Sequence, residues 1–237
     1  MRKILFAVLM CMAFVGCTKG GDVPEIPEPQ PTPEMVTFSI NVQMPTTGNM
    51  TRSASEIYDN FYSAYIQNKK LLPEEYSLTF YKGSEKVGSF SGKWDAEFIT
   101  LPEGTYKVVG TCKGKWETMT LRFEEDINIT KGMKNITLTA IYDCYLLMFD
   151  TQTFSYASMQ YMESSAHTGR VFAATDEVHY MFINGTEGKL ENIVYRVAGT
   201  KNEGSVDVNV FSFEKGKYYF FELINGTVTI PQMQQGN

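Results

Sequence analysis

Near residue 36 the chain alternates between apolar and polar residues. The apolar positions of this stretch are Val36, Phe38, Ile40, Val42 and Met44, and a polar residue separates each from the next. Because successive side chains of a β-strand point to opposite faces, a period of two places all five apolar side chains on one face. The pattern predicts a strand with one buried face.

Short strand-like runs, separated by turn residues, continue through the rest of the chain. In the first half they cover residues 77–81, 97–101, 106–112, 119–123 and 136–142. In the second half they cover residues 145–149, 178–183, 192–197, 205–210, 218–223 and 227–230. Asn225-Gly226 predicts a type I′ hairpin turn, whose two central residues need positive φ. This spacing is typical of β-sandwiches, and we divide the chain near residue 142 into sandwich domains 35–142 and 143–237.

Residues 55–68 have the one helical pattern of the chain. Apolar residues recur there every fourth position, either as Ile57, Phe61 and Tyr65 or as Tyr58, Tyr62 and Ile66. The pattern predicts a helix whose aromatic side chains cover one end of a sandwich.

Residues 1–16 have the pattern of a secretory signal peptide. Arg2 and Lys3 precede an apolar run at residues 4–15, which is shorter than the about 20 residues that span a bilayer. The tetrad at residues 14–17 resembles a bacterial lipobox, although Phe14 stands where Leu is usual. This resemblance implies that Cys17 is acylated and becomes the first residue of the mature chain. The alternative is an ordinary cleaved signal with an incidental cysteine.

A proline-rich spacer follows at residues 17–34. It carries five of the nine prolines of the chain, Pro24, Pro27, Pro29, Pro31 and Pro33. A segment with so few apolar side chains stays extended as polyproline II, at about 3.1 Å per residue. Together with a lipid on Cys17, it would hold a globular body away from the outer membrane.

The charge of the chain argues against two classes of partner. Without residues 1–16 the chain has 19 basic and 27 acidic residues, a net charge of −8. An acidic protein of this kind has no electrostatic attraction to nucleic acid or to a broad anionic lipid surface.

Residues with catalytic or ligand-binding chemistry are few. His167 and His179 lack the spacing of a metal site, and the acidic run at residues 124–126 lacks the glycine and alternating oxygen ligands of a calcium loop, so we interpret it as a solvated turn. We expect no cofactor, no metal and no enzymatic activity. Trp94 and Trp116 either fill the core, which we favour, or stack on a sugar ring.

Cys112 and Cys144 remain after the signal peptide and the lipidated cysteine are set aside. In an oxidising cell envelope they could form a disulfide, or they could be buried free thiols in strands. Both alternatives are open.

These features in their order resemble a known superfamily. The features that carry the resemblance are a lipobox, a proline-rich spacer, an alternating first strand, the loop Thr51-Arg52-Ser53, the segment LPEGTYKVVG and the ends FSFEKGKYYFFEL and TVTIPQMQQGN. In these features the chain resembles the fimbrillin-like surface lipoproteins of Bacteroidetes. That superfamily includes type V pilins and their anchor and tip accessory proteins. The resemblance implies an all-β fold of two tandem transthyretin-like antiparallel β-sandwiches. It also implies a lipid-anchored, surface-exposed protein of the outer membrane, which acts in fimbrial assembly or cell adhesion with other subunits or a surface ligand.

The resemblance also implies a processing site. In type V pilins an arginine-specific protease cuts after an arginine that follows the first strand, and a strand from a neighbouring subunit fills the opened groove. Arg52 and Ser53 stand at the corresponding place; the alternative is that Arg52 is an exposed loop residue.

The chain after Ile230 begins with Pro231 and is mostly polar, so it makes a poor donor strand. An anchor, a tip or a stand-alone protein therefore fits better than a stalk subunit. The alternative function is a lipid-anchored module that binds a glycan or a protein outside any pilus, which exposed Trp94, Trp116 or tyrosines of residues 58–65 grouped on an open face would favour.

Overall fold

The computed structural model describes residues 32–45, 55–94 and 98–230, which are mostly β-strands. In chain order the first nine strands are β1 Met35–Gln43, β2 Glu75–Lys82, β3 Glu85–Lys93, β4 Ile99–Pro102, β5 Gly104–Cys112, β6 Leu121–Ile129, β7 Asn135–Thr139, β8 Ile141–Tyr142 and β9 Tyr145–Asp150. The others are β10 Phe154–Glu163, β11 Ala166–Val171, β12 Ala173–Ala174, β13 Val178–Ile183, β14 Lys189–Val197, β15 Glu203–Asp207, β16 Tyr218–Ile224 and β17 Thr227–Thr229. Helix α1, Ser55–Phe61, continues directly as a π-helix, Tyr62–Gln67, and Val208–Val210 forms a short 3₁₀ helix.

The strands of the first half form two sheets. One has the order β4-β1-β7 and the other the order β3-β2-β5-β6-β8. The five alternating apolar side chains that begin with Val36 are all buried between them, as the sequence predicts. Phe38 of β1 packs against Phe80 of β2, with ring centroids 6.4 Å apart.

The strands of the second half form two further sheets, with the orders β12-β13-β9-β16-β17 and β11-β10-β14-β15. Their core is centred on Phe149, whose ring stacks on Phe221 at 4.5 Å and meets Phe154 and Phe172 edge-on. The predicted hairpin turn between β16 and β17 is confirmed, with φ of 50° at Asn225 and 79° at Gly226.

The sheet of β9, β13 and β16 is buried on both faces. Leu147 and Phe149 contribute to the second core, whereas Leu146 and Met148, on the opposite face, belong to the first core. A strand that is buried on both faces needs a continuous apolar run rather than an alternating one, which explains the sequence YLLMF at residues 145–149. A sheet of the second half therefore completes the core of the first half.

The all-β prediction is confirmed, and some local predictions need correction. The acidic run at residues 124–126 lies within β6, not in a turn. There, Glu124 pairs with Lys107, and Glu125 accepts the backbone N–H of Thr139. The structure also contains four strands that we did not predict: β3, β10, β11 and β12. The division into domains 35–142 and 143–237 and the transthyretin-like topology stay predictions.

Candidate functional site

Strand β1 is the element on which the assembly hypothesis depends, and it is paired along both edges. Residues 35–38 pair antiparallel with β4, and residues 39–43 pair parallel with β7. The Thr37 and Thr100 hydroxyls lie 2.8 Å apart and add a side-chain hydrogen bond to the antiparallel half. β1 is thus the central strand of its sheet.

Contacts beyond the strand ladder hold both ends of β1. At its start the carbonyl of Glu34 accepts the N–H of Glu103 at 2.8 Å, and the Glu34 carboxylate pairs with Lys131 Nζ at 2.8 Å. The hydrogen bond that Lys131 donates to the Glu34 carboxylate raises the pKa of Lys131. At the other end the hydroxyl of Tyr62 donates to the carbonyl of Pro45 at 3.0 Å. The π-helix therefore fixes the point where the chain leaves β1.

The aromatic residues of the helical segment are packed inward. Tyr58 stacks on Tyr218 of β16, with ring centroids 3.7 Å apart and planes within 5° of parallel, and Phe61 packs at 5.0 Å from Tyr180 of β13. Burial raises the pKa of the Tyr58 phenol. Tyr62 and Tyr65 are half-buried. Tyr58 and Phe61 therefore form part of the packing between the helical segment and the second half, whereas Tyr65 lines an open cleft.

Three of the predicted site residues lie outside the described residues. These are Cys17, Arg52 and Ser53. Lipidation of Cys17 and cleavage between Arg52 and Ser53 therefore stay predictions.

Cys112 and Cys144 are free thiols in the structure, and both are buried. Cys112 Sγ donates a hydrogen bond to the carbonyl of Glu75 at 3.1 Å. Burial raises the pKa of each thiol to about 12. Each side chain is therefore protonated at neutral pH and unsuited to nucleophilic chemistry.

The two histidines have ordinary partners. His179 is half-buried, and its Nε2 lies 2.9 Å from the carbonyl oxygen of Phe154. His167 Nδ1 lies 2.8 Å from a carboxylate oxygen of Glu191. Among the described residues, no three His, Cys, Asp or Glu side chains are grouped as a metal site. The same part of the chain contains no helix with the length and apolar character needed to span a membrane.

The two tryptophans are half-buried, and each packs against a different core. Trp94 packs against the first core beside Tyr76, and its indole N–H donates to the carbonyl of Pro73 at 2.8 Å. Trp116 packs against the second core beside Tyr161, with ring centroids 5.2 Å apart. Both contribute to core packing, which is the interpretation that the sequence favoured. Trp116 also lines an open cleft, which no sequence signal indicated.

No family model and no curated protein matches the sequence. Solved structures match most of the chain at low identity. A fimbrial protein of Bacteroides ovatus matches with a TM-score of 0.48 and 10% identity, over 80% of this chain and 48% of that one. A proposed cell adhesion protein of Bacteroides uniformis matches with a TM-score of 0.47 and 10% identity, over 85% and 97%. A fimbrial assembly protein of Parabacteroides distasonis matches with a TM-score of 0.41 and 9% identity, over 79% and 91%.

These matched proteins belong to the class that the sequence resembles, the fimbrial and adhesion proteins of Bacteroidetes. The identities are low and the TM-scores are below 0.5, so the proposals below depend on the residues of this chain.

Proposed function

We propose that the protein is a non-enzymatic, lipid-anchored protein of the outer membrane that acts in surface assembly or adhesion, as an anchor or accessory component. The features that support this proposal are the lipobox at Cys17, the proline-rich spacer at residues 17–34 and the position of β1. Partners are other fimbrillin-like subunits or a surface ligand.

The position of β1 is the observation that carries the proposal. The spacer leads directly into β1, so a pulling force on a lipid at Cys17 would enter the folded body through this strand. β1 is hydrogen-bonded on both sides, and its buried face packs in the first core. Force along β1 must break the ladder of residues 35–38 with β4 and that of residues 39–43 with β7, whereas an edge strand would be held by one neighbour only. This arrangement suits a body that is held to a surface by its N-terminus.

The same position defines what cleavage at Arg52 would do. Burial of the five apolar side chains of β1 contributes on the order of 10 kcal/mol before entropy is subtracted. Loss of β1 would open the first core and leave β4 and β7 with unpaired edges, which accept an added strand. Whether Arg52 is cut therefore distinguishes a tethered component from a subunit that exchanges strands.

The test is the mass of the mature N-terminus of the protein from the cells that naturally produce it. A lipid-modified Cys17 as the first residue supports the proposed anchor. A chain that begins at Ser53 would show that β1 is cut away and that strand exchange is the mechanism. An unmodified N-terminus at any other residue would refute the lipid anchor.

Two variants provide controls for this measurement. Cys17→Ala removes the thiol that accepts lipid, so we expect it to be released from the membrane fraction. Arg52→Ala removes the arginine, and the N-terminus at Ser53 should disappear if an arginine-specific protease generates it. An N-terminus that does not change in Arg52→Ala would mean that Arg52 has no role in processing.

A further inference from the structure

A polar cleft of about 560 Å³ opens beside Trp116. Three segments form its walls: the loop between β5 and β6, the end of β10 with Ser164 after it and Arg170 of β11, and the loop between β13 and β14. Its volume falls within the about 300–1,000 Å³ of small-molecule sites. It lies away from β1, so it is independent of the proposed assembly role.

The walls of the cleft are fixed by contacts between the two halves of the chain. The carbonyl of Trp116 accepts the N–H of Phe182 at 2.8 Å, and Asn184 Nδ2 donates to Thr120 Oγ1 at 3.1 Å. Arg170 forms an ion pair with Glu117. A site whose walls are already held in place loses little entropy when it binds a ligand.

Two glycines in the walls are required for this shape. A Cβ at Gly114 would lie 2.3 Å from the carbonyl oxygens of Thr118 and Met119. A Cβ at Gly188 would lie 1.9 Å from the carbonyl oxygen of Met162. Only glycine allows the backbone to approach so closely at these two positions.

Several polar groups in the cleft are not used by the protein itself. Within the described residues, the Trp116 indole N–H, the Tyr161 hydroxyl, the Lys115 ammonium and the Glu163 carboxylate have no hydrogen-bond or ion-pair partner. In contrast, both oxygens of Glu187 accept backbone N–H groups of the β13–β14 loop, so this residue has a structural role. The cleft thus offers two aromatic rings together with free donors and a free acceptor.

The composition of the cleft favours a sugar over other ligands. Its ionisable lining residues, Lys115, Arg170, Glu163 and Glu187, balance in charge, so it is not an anion site. Its mixture of donors and acceptors suits hydroxyl groups, each of which can donate and accept. Aromatic rings suit the apolar C–H face of a pyranose. We propose that the cleft binds a pyranose ring of a polysaccharide, with Trp116 as the stacking platform.

The test uses the soluble chain of residues 18–237, which retains the unit that begins at Pro33. Saturation-transfer NMR would be recorded with methyl glycosides of glucose, galactose and mannose, with N-acetylglucosamine and N-acetylgalactosamine, and with glucuronic acid. We expect transfer to at least one sugar. Absence of transfer to all six would overturn the proposal.

Variants then assign the binding to this cleft. Trp116→Ala should weaken the affinity about tenfold, because it removes the stacking ring. Glu163→Gln should also weaken it, and this exposed residue has no protein partner whose loss would disturb the fold. Trp94→Ala is the matched control, because Trp94 is also half-buried but lies outside the cleft; the affinity of this variant should not change. Wild-type affinity in both Trp116→Ala and Glu163→Gln would refute the site.

Discussion

At the scale of single residues, burial controls the chemistry of the cysteines and several tyrosines. The pKa of Cys112 and of Cys144 is about 12 in the folded state, against 9.0 for an exposed thiol. The cause is the same for both, because burial penalises the charged thiolate. The two thiols are therefore unreactive as long as the protein stays folded.

We therefore expect neither thiol to react with a maleimide at pH 8 in the folded chain of residues 18–237. Both should react after unfolding without reductant, and a count of labelled thiols by mass spectrometry measures this. If no thiol reacts after unfolding, Cys112 and Cys144 form a disulfide in this chain, which would contradict the free thiols of the structure.

The same shifts predict loss of stability in alkaline solution. Because the folded pKa lies above that of the unfolded chain, each thiol contributes stability that is complete below about pH 9 and is lost as the pH rises toward 12. In denaturant titrations across this range, the free energy of unfolding should fall less steeply with pH in Cys144→Ala than in the parent. An equal slope would show that the thiol does not titrate differently in the two states.

Tyr142 and Tyr106 differ in one hydrogen bond and form a matched pair. Within the described residues the hydroxyl of Tyr142 is buried without a partner, whereas Tyr106 donates to the carbonyl of Pro102 at 2.8 Å. A buried unsatisfied hydroxyl costs about 1–3 kcal/mol. Tyr142→Phe should therefore leave the free energy of unfolding unchanged or raise it, and Tyr106→Phe should lower it by about 1 kcal/mol. Chemical denaturation measures both, and a loss in Tyr142→Phe as large as that in Tyr106→Phe would contradict the assignment.

At the scale of elements, the sequence was informative where one face is buried. The alternation from Val36 to Met44 identified β1 and its buried face. It failed for β3 and β11, whose residues are mostly exposed and have no apolar alternation to detect. The helix was predicted, but its buried residues are Tyr58, Phe61 and Ile66, a mixture of the two predicted faces. Tyr58 and Phe61 lie three residues apart in α1 and so share one face of an α-helix. The wider π-helical turns after Phe61 then place Ile66, five residues further on, on the buried side.

Substitutions in β1 test the burial that the proposals depend on. Phe38→Ala should lower the free energy of unfolding by about 3–5 kcal/mol, because it leaves a cavity in the first core. Asn41→Ala, on the exposed face of the same strand, should change it by less than about 0.5 kcal/mol. Equal effects in equilibrium denaturation would mean that β1 is not packed as described.

Of the residues that line the cleft, the sequence identified one tryptophan but not its neighbours. Trp116 was singled out by residue type alone, since a tryptophan has only a few roles in a β-protein. Tyr161, Glu163 and Arg170 were not, because they lie in β10 and β11, which the sequence did not predict, and only the fold places this strand pair beside Trp116. Without a local motif, such a cleft becomes visible only in the folded chain.

At the scale of the whole molecule, the first core depends on the second half. Tyr180, Phe182 and Phe220 belong to the first core cluster, although their strands lie beyond residue 142. A chain of residues 18–142 would expose the apolar surface that these strands cover. We expect it to lack the near-ultraviolet circular dichroism and the dispersed NMR spectrum of the chain of residues 18–237. A truncated chain with sharp, dispersed signals would show that the first half folds independently.

The sheet that is buried on both faces also makes the first core depend on strands that are synthesised late. Chains are made from the N-terminus at about 5–20 residues per second, so Phe220 follows residue 142 by about 4–16 s. During that interval the first half exists with one wall of its core missing, and its apolar side chains are free to adhere to other unfinished chains. This interval ends when β16 pairs with β9 and completes the sheet that covers the first core.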